Sequence, residues 1–431
     1  MKKITMIMMK NYKPSVITET FKILAKLLFL TFAANAQNTV IKAGHLFDAR
    51  SGKMLDNQII IIQNGKIKEV GTNLKFAKTD KIIDLSDSWV LPGLMDCHVH
   101  IALNTDYRKR NMTALYLTES NSLRAIRGSV VAKQFLNSGF TTIKEIGNDG
   151  NYVTADVIKA IKNGWTEGPT IIYAGKIIAP FGGQSRNINP EHERFWEFEY
   201  IDADTPDEIK KAVRKNIYYG ATVIKMVTGD NGIYDVEDIK AAVDEAKKYG
   251  IKVTVHVGDK DGADNVILGG AAAIEHGFGL TDTQLQMMKD RGTFLVGTDF
   301  SYDNWYAYGF DEATTKALAD KVIDRLKRAY KIGTKMAFGT DIIVDLPEMN
   351  RVQSSLKVLQ SWKAAKIPPS YILQTMTVNS AELLGLEKSK GVLEKSFDAD
   401  IIALKNNPLE NIEAIKTVRF VMKEGKIIRQ D

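Results

Sequence analysis

Leu94-Met-Asp-Cys-His-Val-His100 is a short apolar run that ends in two histidines spaced by two. Residues i and i+2 of a strand face the same side, so both imidazoles leave this strand together. The run opens a stretch in which apolar strands and amphipathic helices alternate. Strands are expected at Leu94–Val99, Thr141–Ile146, Thr170–Ile178, Thr222–Val227, Lys252–Val257, Ala272–Glu275, Thr293–Val296 and Lys335–Phe338. Helical periodicity separates many of them, at Pro206–Tyr219, Val236–Tyr249, Asp311–Ile332 and Ser370–Leu384. Eight strands in this alternation predict an α/β fold, a (β/α)8 TIM-like barrel rather than an open doubly wound sheet. An open sheet usually carries a glycine-rich first turn, and neither G-x-G-x-x-G after the first strand nor a Walker A loop occurs.

Outside this stretch the pattern is all β. Thr39–Ala43, Gln58–Gln63, Lys66–Val70 and Lys81–Leu85 read as strands, with Asn64-Gly65 as a hairpin turn. Asp400–Lys405, Val418–Lys423 and Lys426–Ile428 echo them at the other end. Two β pieces at opposite ends form one small domain only if the middle folds as an insert. The expected organisation is therefore a β-sandwich built from 37–92 and 389–431, with the barrel at 93–388.

Residues 1–36 hold six lysines and one glutamate, then the apolar run Leu27–Ala34 and the ending Ala34-Asn35-Ala36. This is the pattern of a secretory signal peptide cut after Ala36, and it predicts an exported, periplasmic protein. The apolar run is roughly half of the ~20 residues a spanning helix needs, so no stable membrane anchor is expected. Removing the leader lowers the net charge from +6 to +1, which withdraws the case for nucleic acid as a partner. The single cysteine, Cys97, excludes an intrachain disulfide and CxxC metal sites, leaving nitrogen and oxygen ligands.

The C-terminal strand ends are where a barrel keeps its chemistry. His98 and His100 close the first strand, Lys225 lies in the fourth, His256 ends the fifth, His276 the sixth and Asp341 the eighth. Each has an ordinary reading: a hydrogen-bonded histidine, a lysine reaching water from the outer face, an aspartate capping a helix. Six ligand-capable residues, all at predicted strand ends, shift the balance toward metal. Imidazole and carboxylate suit zinc, or iron and manganese less specifically. A buried ammonium beside two divalent cations is costly, and a neutral Lys225 that has taken up CO2 as a carbamate resolves that cost.

The order His-x-His, Lys, His, His, Asp resembles the amidohydrolase superfamily over nearly the whole chain after the leader. Trp89-Val-Leu-Pro-Gly-Leu-Met-Asp-Cys-His-Val-His100, Gly139-Phe-Thr-Thr-Ile-Lys-Glu145, Ile274-Glu-His-Gly277 and Val378-Asn-Ser-Ala-Glu-Leu-Leu-Gly-Leu386 carry the likeness. It is strongest to the imidazolonepropionase-like branch that includes dipeptidases of the prolidase and Xaa-Arg type. The resemblance implies that His98, His100, Lys225 and Asp341 hold one cation, and Lys225, His256 and His276 the other. It implies two divalent ions, zinc first among them, a bridging hydroxide as nucleophile, and Asp341 as the proton-transferring catalytic residue. Glu145 stands where relatives often carry Asp and is not expected to be a ligand. Asp299, in a second Gly-Thr-Asp, belongs to the seventh strand end, where lining the pocket, supporting a ligand and capping a helix are all open.

The expected substrate is a small molecule such as a dipeptide or N-acyl amino acid, cleaved at its amide bond. Gln184, where relatives among the dipeptidases often have His, Arg186 as a partner for a carboxylate, and Tyr302 in an aromatic loop are the candidate substrate contacts. Arg186 reads somewhat more readily as a solvated loop residue. A cyclic amide or imidazolone substrate and a catalytically silent binding barrel are the alternatives. Lys225 argues against the first, and the complete ligand set against the second. The likeness leaves room for a homo-oligomer. His45, His192 and Cys97 read as structural or solvated.

Overall fold

The computed structural model describes residues 37–109, 111–184, 189–230 and 232–431. The leader and Arg186 lie outside them. In chain order the strands are β1 (Thr39–Asp48), β2 (Lys53–Gln63), β3 (Lys66–Gly71), β4 (Lys81–Pro92), β5 (Leu94–Val99), β6 (Phe140–Glu145), β7 (Thr170–Tyr173) and β8 (Ile177–Ala179). They continue as β9 (Tyr200–Asp202), β10 (Ile224–Thr228), β11 (Val253–Val257), β12 (Ala273–His276), β13 (Phe294–Val296), β14 (Ile401–Leu404), β15 (Val418–Lys423) and β16 (Lys426–Gln430).

The two ends of the chain share one seven-stranded sheet, ordered β16-β15-β14-β4-β1-β2-β3. Its seam is the antiparallel pairing of β14 with β4, Ile401 opposite Pro92 through Leu404 opposite Trp89. The expected sandwich is thus one continuous sheet, bent so that its two hairpin turns meet. Asn64-Gly65 and Glu424-Gly425 both take left-handed backbone, φ 53 and 76, then 49 and 77. A Cβ on Gly425 would lie 2.7 Å from the Gly65 Cα, so only glycine allows the contact. Inside the bend Ile41, Ile60, Ile401 and Phe420 are fully buried.

Between these halves runs the α/β part, with parallel sheets β5-β6-β7 and β13-β12-β11-β10-β8-β9. Two expected strands differ. Thr170–Ile178 is broken at Gly175 (φ 73), where the Asn216 side chain bonds both the N–H and the carbonyl of Lys176 in place of a neighbouring strand. Lys335–Phe338 forms no strand, only a bridge at Met336. It is nonetheless extended between two strands: Leu295 N–H donates to Lys335 O (2.9 Å) and Cys97 N–H to Phe338 O (2.7 Å). On the other side Thr222 N–H donates to Tyr173 O (2.7 Å). The helical stretch expected at Ser370–Leu384 is two helices, Pro369–Thr375 and Val378–Leu384, parted at Thr377, which leaves helical geometry. Among the described residues no helix is long and apolar enough to cross a membrane.

Candidate metal centre

The register of the parallel strands gathers the candidate ligands at one end. Lys225 pairs with Thr254, Val227 with His256, and Val257 with His276, so the β10, β11 and β12 contributions rise in steps. His98 and His100 leave the end of β5, and Asp341 follows the extended segment beside it. The rings of His98 and His276 are 5.0 Å apart, those of His98 and His100 5.2 Å, and those of His256 and His276 4.3 Å. Ligand atoms of His98, His276 and Asp341 lie within 4.8 Å of one another. Asp341 Oδ1 sits 3.4 Å from His98 Nε2 and 3.1 Å from His100 Nε2.

Each imidazole has one nitrogen occupied by another protein group. His98 Nδ1 meets Glu275 Oε2 (2.8 Å), His100 Nδ1 meets the Gly147 carbonyl (2.6 Å) and His276 Nδ1 meets the Thr298 hydroxyl (2.8 Å). His256 Nε2 faces Asp230 Oδ2 at 3.4 Å. Such partners fix the tautomer and leave the other nitrogen as an available lone pair.

Glu275 and His276 are neighbours on one strand and yet face the same interior. Glu275 turns to His98 and Lys144, and the pleat would send His276 the other way. A left-handed backbone at His276 (φ 67) returns its ring to the centre, and Thr298 (φ 45) and Asp341 (φ 54) do the same at neighbouring ends. For residues with a Cβ this conformation costs about 1 kcal/mol each, and such strain gathers at functional sites. Asp96 ties the end of β5 to the extended segment that leads into Asp341. It accepts from His98 N–H (3.0 Å), Thr340 N–H (3.1 Å) and the Thr340 hydroxyl (2.7 Å).

The charges call for a cation. Burial opposes protonation of His100, yet hydrogen bonds to Asp341 and Glu145 outweigh it and lift the imidazolium to about 10. Burial likewise opposes ionisation of Asp341, but the imidazoles of His98 and His100 hold it well below the usual carboxylate range. A field that binds a proton this firmly also favours a divalent ion. Lys225 is 3% exposed and makes no hydrogen bond or ion pair with any described residue. Burial, assisted by the Lys144 charge, lowers its amine to about 8, so a neutral, nucleophilic form is within reach near neutral pH. Its charge is felt by His256, His276 and Asp341, which places it on the same face of the strands as these candidate ligands. The donor set fits a metal centre.

Gln184 reaches the same end of the strands. Its Nε2 donates to Asp230 Oδ2 (2.9 Å) and lies 3.4 Å from His256 Nε2, and its Oε1 accepts from Tyr200 (3.2 Å). Tyr302 stands 41% exposed and stacks on Tyr306. From that loop it is Tyr308 whose hydroxyl donates to the Asp341 carbonyl (3.1 Å). Asp299 is the buried partner of Arg325, and Ser301 caps the helix that follows. His45 stacks on Trp89 and bonds Asp56 in the small sheet, and His192 is exposed. Sequence reading passed over Glu275, which binds His98 on one oxygen and Lys144 Nζ (2.6 Å) and the Thr254 hydroxyl on the other. The signal was present: an acid and a lysine at inward positions of predicted strands are each improbable without a partner.

Comparison with known proteins agrees with this geometry. Residues 89–428 match the model of the amidohydrolase family. The chain is 27% identical to ochratoxinase of Aspergillus niger, over 93% of this chain and 89% of that one. Among solved structures it resembles a Xaa-Pro dipeptidase with methionine bound in its active site (TM-score 0.79, 28% identity, 91% of this chain and 100% of that one). It also resembles a prolidase complexed with N-methylphosphonate-L-proline (TM-score 0.76, 25% identity, 92% and 100%).

Proposed function

The chain belongs to the amidohydrolase family and is a hydrolase, and from that premise we propose that it cleaves the amide bond of a dipeptide or N-acyl amino acid at a two-metal centre. The observation that carries this is the convergence of the His98, His100 and His276 imidazoles on Asp341, with His256 against His276 and a buried Lys225 that has no partner among the described residues. His98, His100, Lys225 and Asp341 would hold one divalent ion, and Lys225, His256 and His276 the other. Zinc is the first candidate, with Lys225 as its carbamate. When bound, such ions supply an activated water near neutral pH and polarise the scissile carbonyl.

The protein's own groups do the rest. Asp341, kept ionised by His98 and His100, accepts the proton released on attack and returns it to the leaving nitrogen. Glu275 and the Gly147 carbonyl hold the first two imidazoles in register for this. Gln184 and Asp230, beside His256, are placed to orient the substrate, and Arg186 would meet its carboxylate. The dipeptidase and prolidase resemblances support the substrate class. A silent binding barrel leaves Lys225 without a purpose, as does an imidazolone hydrolase that works with a single metal.

We further propose that the hydrogen bonds from Lys335–Phe338 to both neighbours complete a closed (β/α)8 barrel spanning 93–388, inserted into a small domain of 37–92 and 389–431. The protein is proposed to be exported to the periplasm with cleavage after Ala36. Metal analysis of the purified protein, followed by a screen of dipeptides, N-acyl amino acids and lactams, tests the function. About two ions per chain and turnover of a linear amide are expected. Asp341→Asn should keep much of the metal and lose turnover, and Lys225→Ala should lose the metal pair. Wild-type activity in either variant overturns the assignment.

A further inference from the structure

Arg325 lies in the helix Glu312–Ile332 and is completely buried. Its Nη1 donates both to the His276 carbonyl and to the Gly297 carbonyl (3.1 Å), and its Nη2 donates to Asp299. One guanidinium thus fastens the end of β12 to the end of β13. The residues it fastens are the strained ones. His276 and Thr298 are both left-handed, and the Thr298 hydroxyl meets His276 Nδ1. The fit is tight: a Cβ on Gly297 would stand 2.4 Å from Asp299 Oδ1 and 2.6 Å from Arg325 Nη2.

We propose that Arg325 is a positioning residue for the second cation: by clamping the two carbonyls it holds His276 in the left-handed backbone that aims its ring into the centre. A fork with several donors on one rigid plane serves two carbonyls and a carboxylate at once, which a lysine cannot do. Asp299 keeps the fork charged and oriented. The inference rests on the two-metal reading above.

The test separates this role from that of a merely structural buried ion pair. Removing one partner of such a pair destabilises the fold, whereas replacing both with apolar residues of similar size is tolerated. The variants are therefore the double Arg325→Met/Asp299→Leu and, as a charge-retaining control on folding, Arg325→Lys. Zinc bound per chain and stepwise zinc affinity are measured by chelator competition on the full-length protein, with circular dichroism to follow the fold. Both variants should fold and bind the first zinc within about threefold of wild type, and bind the second about 10- to 100-fold more weakly. Two zinc ions bound with wild-type affinity by a folded variant overturn the inference alone. Fewer than two ions in the wild-type protein overturn the two-metal reading, and the inference with it.

Discussion

The seven-stranded sheet and the strand ends around Asp341 both use left-handed backbone and buried charge, in opposite ways. In the sheet the tight turns Asn64-Gly65 and Glu424-Gly425 each place glycine at the second left-handed position, where it is cheap. Its one deeply buried lysine, Lys390, is held by Asp400 at 2.8 Å and Asp398 at 3.1 Å. At the strand ends His276, Thr298 and Asp341 are left-handed, and Lys225 is buried with no partner among the described residues. Glu199 is likewise buried, with no ion pair among the described residues. Most left-handed positions of the sheet are glycine or asparagine, whereas those at the strand ends are His, Thr and Asp. Where preference is broken at several neighbouring positions, the reason is function.

The hardest blow to this contrast falls on Glu275, a buried charge at the strand ends with partners on both oxygens. Glu275→Gln leaves Lys144 buried and unpaired, and should cost about 3–5 kcal/mol. It should also weaken the first metal about 10- to 100-fold by freeing the His98 tautomer. Burial opposes the Glu275 charge, but Lys144 and His98 hold it well below the usual carboxylate range. Its stabilisation is therefore present above the unfolded value of about 4.3 and is lost as pH falls below it. Thermal melting against pH should show that loss in the wild type and not in the variant.

Glu199 should carry the opposite sign. Burial lifts it to about 7, so the folded protein keeps a proton that the unfolded chain has already released at about 4.3. Stability should therefore fall as pH rises from about 4.3 to 7, by an amount of order 3 kcal/mol, and Glu199→Gln should flatten that slope. Equal slopes in both proteins would remove Glu199 from the contrast.

A matched pair of alanines sharpens it further. Gly297→Ala and Gly425→Ala each force a Cβ into occupied space and should each cost about 1–3 kcal/mol by melting. Only the first should also lower zinc affinity. The smallest effect is expected where strain has no use. Glu424→Asn, at φ 49 in a turn, should gain up to about 0.5 kcal/mol with metal binding unchanged.

What sequence could show follows the same division. The hairpin at Asn64-Gly65 and the alternation of strands with helices are local patterns, and both appear in the structure. His98, His100, Lys225, His256, His276 and Asp341 were legible because each is a ligand-capable residue at a predicted strand end. The break at Gly175 was not, because Asn216, a residue far along the chain, replaces the missing ladder bonds. Lys335–Phe338 is extended but unpaired in the regular sense, a distinction its composition does not carry. Glu275 and Arg325 were missed for a related reason: an acid beside a histidine and an arginine in an amphipathic helix look like surface residues until long-range packing buries them.

The β4–β14 seam has a consequence for how the chain assembles. Strands that lie side by side at the middle of one sheet are separated by roughly 300 residues. Contacts of that separation form late and slowly, because the loop between them must close first. The half-sheet β3-β2-β1-β4 therefore waits, its β4 edge open, until the final strands emerge. A chain cut short before Ile401 keeps that edge permanently bare, and an unpaired edge is a template for aggregation. The last thirty or so residues thus act as the latch that covers this edge.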